Sequence, residues 1–113
     1  MLTVQDRINL AKNSLAEFCQ VVEPILDIDM VYFDKPHYSL RSAVIFAQNA
    51  LATNWLDHDQ SAAACRLNSA FARVAHNLPP EGLRQAIEWM FFTSENLVLV
   101  AELRQSYKMQ RET

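Results

Sequence analysis

The groups in this sequence best suited to chemistry are its histidines and the carboxylates near them. His37 and His76, with one carboxylate from Asp27, Asp29 or Asp34, are ligand types that suit zinc. They meet only if the chain brings its first and third connections to the same end. The Glu-x-x-His spacing of di-iron bundles is missing, and a histidine at position 76 is explained by the favourable dipole at a helix C-terminus. The pair is therefore a weak metal candidate, and no cofactor is expected.

Other arrangements do less. Asp57-His58-Asp59 has acid and base side by side, but neighbours in a short turn do not point into one pocket, and either aspartate serves as a helix cap. Cys19 and Cys65 fall in separate apolar stripes, which predicts buried, reduced thiols rather than nucleophiles or a disulfide. Arg66, Arg73 and His76 do not match the Arg/His spacing of helical nucleases. One glycine in the chain cannot build a phosphate-cradling loop. Glu17, Glu23, Glu88, Glu95 and Glu102 are not set one turn apart on facing helices, as magnesium-dependent bundles require. No residue set amounts to a catalytic fingerprint, and a non-enzymatic protein is expected.

The same single glycine argues against a sheet protein, whose hairpins and bulges use glycine freely, and so predicts an all-α chain. At 113 residues, half of them apolar and a fifth charged, one helical domain spanning 1–113 can bury its own core. Net charge is −3, and the ten basic residues are scattered, which argues against nucleic acid and against an anionic membrane surface. Neither a signal region nor a membrane span is apparent, so a cytoplasmic location is expected.

The elements follow from apolar spacing. Thr3 and Asp6 read as the cap of a first helix with Val4, Ile8, Ala11, Leu15, Phe18 or Cys19, and Val22 on its inner face, ended by Pro24. Residues 25–34 read as a connection with at most one helical turn, because no second strand is evident. Asp34 reads as cap and Pro36 as first-turn residue of a second helix, whose stripe is Leu40, Val44, Ala47, Leu51 and Trp55 and which ends at Thr53 and Asn54. A third helix, capped by Asp57 or Asp59, carries Ala63, Leu67, Ala70 or Phe71, Val74 and Leu78, and stops at Asn77 and Pro79.

The fourth helix organises the rest. Its first turn is Pro80 and Glu81, and Leu83 to Leu103 is apolar around most of its circumference, with Leu83, Ile87, Met90, Ser94, Leu97 and Ala101 on one face and Trp89, Phe92, Asn96, Leu99 and Leu103 on another. As one piece, residues 80–109 would run about 45 Å. A second capping sequence at Thr93 to Asn96 allows a break near residue 94 instead, making a five-helix chain. The expected architecture is an up-and-down four-helix bundle.

With no catalytic set, function falls to surface. Asp29 to Asp34 places aromatic residues between carboxylates, the mixture used at interfaces, and an acidic rim steers a basic partner. Asp29, Tyr32 and Asp34 lead the partner-binding candidates, with Asp27, Asp57 and Asp59 behind them. Trp89, Phe92, Leu99 and Leu103 are the candidates for a homodimer contact.

The series Pro36-x-Tyr38, Ser42-Ala43, Gln48, Leu56-Asp57, Ser61-Ala62, Arg66-Leu67 and Leu83 to Ala86 resembles the small all-helical immunity proteins that bacteria pair with toxins delivered by type VI secretion. The resemblance covers about half the chain. It implies an acidic helical plug that binds a cognate toxin and occludes its active site without catalysis of its own; the acidic rim itself points to a toxin or another basic-surfaced enzyme as partner. The expectation is a bacterial protein-binding module of this inhibitor type. The alternatives are a homodimeric structural or regulatory domain, and a metal-binding bundle at the His37 and His76 end.

Overall fold

A computed structural model describes residues 3–32, 35–52 and 57–112; the side chains of 30–38, 53–58 and 107–113 lie outside the described ones. The fold is all-α, with four helices among the described residues: α1 (Val4–Val21), α2 (Leu40–Ala50), α3 (Asp57–Val74) and α4 (Pro80–Glu112). Short 3-10 turns follow α1 at Glu23–Ile25 and α3 at Ala75–Asn77.

The start of α1 is a capping box. Thr3 Oγ1 accepts from the Asp6 amide at 3.0 Å, and the Thr3 amide donates to Asp6 Oδ2 at 3.0 Å. Two otherwise orphaned donors are thereby satisfied, and the Thr3 amide holds the Asp6 carboxyl below the usual carboxylate range. Pro24, which cannot donate, turns the chain out of α1 into the first 3-10 turn.

Between that turn and α2 the structure departs from expectation. Residues Met30–Tyr32 (β1) and Lys35–Tyr38 (β2) form a small antiparallel hairpin, with Met30 opposite Tyr38, Tyr32 opposite Lys35 and an irregularity between. Pro36 thus sits in a strand, where a two-stranded ribbon tolerates it because both strands are edges. The cap of α2 is Ser39, whose backbone is extended and whose hydroxyl accepts from the Ser42 amide at 3.4 Å; α2 therefore starts after Pro36, which lies in β2, and Asp34 lies outside the described residues. At the other end α2 stops at Ala50, before Thr53 and Asn54, which lie outside the described residues with Trp55. α3 begins at Asp57 itself, which places Asp57 and Asp59 in its first turn rather than at its cap.

α4 is unbroken for 33 residues, about 50 Å at 1.5 Å per residue, and this matches the 49 Å long dimension of the molecule. The polar stretch at 93–96 does not interrupt it. Thr93 and Asn96 turn inward, and Asn96 Nδ2 donates to the Phe92 carbonyl one turn back, at 2.9 Å.

Packing follows from which faces are apolar. α1 and α3 both lie against α4, α2 lies against α3, and α1 touches α2 little. The core contains Ile8, Leu15 and Phe18 from α1, Leu40, Val44 and Ala47 from α2, Leu67, Ala70 and Phe71 from α3, and Ala86, Met90, Leu97 and Val100 from α4. Phe18 meets Phe71 edge to face at 5.6 Å, so the C-terminal ends of α1 and α3 share one end of the bundle. The buried line of α4, through Ala86, Met90, Thr93, Leu97 and Val100, runs between the two stripes expected from sequence.

Candidate functional site

Because α1 and α3 cover one side of α4, its opposite side is left open. On it Phe91 is 70% exposed, Phe92 45%, Ile87 39% and Val98 38%. At 100° per residue, Phe91 and Phe92 straddle the outermost line of the helix, and Val98 and Leu99 repeat that pair two turns on. Trp89 is half-buried against the core, with its ring edge to face with Phe92 at 6.1 Å. Glu88, Trp89 and Phe92 line a shallow depression of about 330 Å³.

The line between the apolar pairs is acidic. Glu81, Glu88, Glu95 and Glu102 are all exposed and stand seven residues apart. Arg84 reaches Glu88 at 3.9 Å, a long contact between two strongly exposed side chains that adds little to stability.

The homodimer candidates fall on this side: Phe92 is exposed, and Trp89, Leu99 and Leu103 are half-buried at its margin. Phe91 and Val98, the sequence reading missed. The seven-residue spacing of the glutamates was the available signal, since four charges on one line mark the wet side of a helix and so orient everything beside them.

The aspartate candidates are distributed differently. Asp27 is engaged within the chain, receiving Arg41 Nε at 2.5 Å and Nη2 at 2.9 Å, while the Arg41 amide donates to the Leu26 carbonyl at 3.0 Å. This bidentate pair fastens the turn after α1 to the first turn of α2, and the guanidinium holds the Asp27 carboxyl below its ordinary range. Asp29 is exposed just ahead of β1, and Asp59 is half-buried in α3. The side chains of Tyr32, His37, Asp57 and His58 lie outside the described ones, and Asp34 outside the described residues altogether.

His76 is exposed in the 3-10 turn after α3, at the bundle end that also carries the hairpin connection. Among the described residues no three of His, Cys, Asp and Glu are grouped as metal ligands, and the His37 side chain is not among those described. Of the thiols, Cys19 is half-buried against the core, and burial raises its pKa above the ordinary thiol value. Cys65 is exposed, contrary to expectation: Ala63 and Ala64 fill the buried positions, and the next residue, 100° on, faces out.

A second depression, about 220 Å³, lies where α1 and α2 fail to close on each other, lined by Lys12, Leu15, Ala16, Gln48 and Leu51. Among the described residues no helix is long and apolar enough to cross a membrane. No protein-family model, curated protein or solved structure matches the chain.

Proposed function

We propose that this protein is a non-enzymatic binding module that works by covering part of another protein, and that the outward face of α4 is its working surface. The observation that carries this reading is the set of exposed apolar side chains flanking the acidic line, Ile87, Phe91 and Val98 on one flank and Phe92 on the other, on a helix whose other side is already packed. Scattered apolar residues on a surface need no explanation; an aromatic pair followed by an aliphatic pair along one rigid rod is an interface pattern. The immunity-type inhibitor, which occludes a cognate toxin, is the form of this function that agrees with the resemblance in the sequence and with the acidic character of the surface.

The test is capture from the organism of origin followed by reconstitution from purified components. The wild type should retain a stoichiometric partner, and the double variant Phe91→Ser with Phe92→Ser should lose it while keeping its helical circular dichroism. Loss in Tyr32→Ala with Asp29→Lys, but not in the phenylalanine variant, would move the interface to the hairpin and contradict the α4 assignment. A reconstituted complex that survives both variants would contradict it as well.

A further inference from the structure

The acidic line on α4 specifies the chemistry of what it receives. Successive glutamates among Glu81, Glu88, Glu95 and Glu102 are about 10.5 Å apart along the axis and turn by only about 20° at each step. Between Glu88 and Glu95 stand Phe91 and Phe92, and between Glu95 and Glu102 stand Val98 and Leu99. Charge and apolar surface therefore alternate along the rod with the repeat of a packed helix pair.

Resting on the binding reading above, we propose that this face receives an amphipathic helix of another protein, one that carries lysine or arginine at seven-residue spacing beside its apolar residues. Such a helix lays its apolar side chains over Phe91, Phe92, Val98 and the depression beside Trp89. Its long basic side chains cross the apolar strip and reach the carboxylates. A second copy of this chain is a poor occupant. Two such faces would set eight carboxylates against the two Arg84 guanidiniums, and like charges across an interface are costly. Nucleic acid and anionic lipid are repelled for the same reason.

A synthetic peptide about 21 residues long, with leucine at the core heptad positions and lysine flanking them, serves as the probe. Its glutamate-for-lysine counterpart and a scrambled lysine peptide are the controls. Trp89 emission, read in a Trp55→Phe background, reports binding, since the chain has two tryptophans. The patterned lysine peptide should bind, and the glutamate and scrambled peptides should bind at least about tenfold more weakly. Glu88→Lys, Glu95→Lys and Glu102→Lys together should reverse the preference in favour of the glutamate peptide. Phe91→Ser with Phe92→Ser should weaken both.

Equal binding of the three peptides by the wild type, no binding of any of them, or lysine-peptide binding that survives charge reversal overturns the proposal. So does sedimentation showing a dimer that the phenylalanine changes dissolve. The two readings fail separately. A native complex lost with Phe91 and Phe92 but indifferent to the glutamates leaves the surface in place and removes the basic helix, whereas a native complex indifferent to the phenylalanines removes the surface.

Discussion

Arg41 and Asp27 show how one charged pair can organise a connection. Because the pair holds Asp27 below its ordinary range, its contribution is present above the unfolded-state value and is lost as pH falls through the folded one. Urea midpoints of the wild type should exceed those of Asp27→Asn at neutral pH, and the gap should close as the solution is acidified past the carboxylate range. A gap that persists unchanged in acid would show that the ion pair is not its cause. Thr93 offers a second residue-scale test. Its hydroxyl is fully buried with no hydrogen-bond partner among the described residues, so Thr93→Val, which keeps the branched shape, should stabilise the fold by about 1 kcal/mol. The thiols should also separate: a neutral alkylating reagent should modify exposed Cys65 well before Cys19, which burial keeps protonated and covered. Mass spectrometry at early times reads the order directly, and prior modification of Cys19 would contradict the packing.

At the scale of elements, the helices were legible where one face is apolar and the other wet. Ile8, Ala11, Leu15 and Phe18, or Ala63, Leu67, Ala70 and Val74, repeat every three or four residues, and these positions are buried. The hairpin was not legible because Asp34-Lys35-Pro36 also reads as a helix start, and only tertiary pairing of Met30 with Tyr38 decides between the two. The orientation of α4 was hidden by its uniform greasiness: apolar spacing cannot choose an inner line when nearly every line is apolar, and two polar residues, Thr93 and Asn96, took buried places. The aspartate candidates were chosen by residue type, and type alone does not show that Asp27 is paired with Arg41; both Asp27 and Asp29 are exposed. Within α4, Leu97 is fully enclosed, so Leu97→Ala should cost about 3 kcal/mol in chemical denaturation; a loss under 1 kcal/mol would show that the site collapses or that the helix is not the core element. Gly82, in the first turn, has room for a methyl group, which would meet Pro79 at an ordinary 3.5 Å. Gly82→Ala should therefore raise stability by about 0.5 kcal/mol.

Across the whole molecule, the neighbour order α2, α3, α4, α1 leaves the last helix supported along one side only. Asn68 Nδ2 donates to Ser94 Oγ at 2.7 Å and so fixes the antiparallel register of α3 and α4, in which the first residue of α3 falls roughly level with residue 105 and the remainder of α4 runs on beyond it. Phe91, Phe92, Val98 and the glutamates thus stand on a stretch of helix whose inner face is already packed, and a surface formed before binding loses less freedom when it is covered. The most direct test is hydroxyl-radical footprinting of Phe91 and Phe92, in the isolated protein and in the complex recovered from its source. The account predicts strong labelling of both rings when the protein is alone and protection of both in the complex. Rings already shielded in the dilute isolated protein, or still labelled in the complex while another surface is protected, would contradict it.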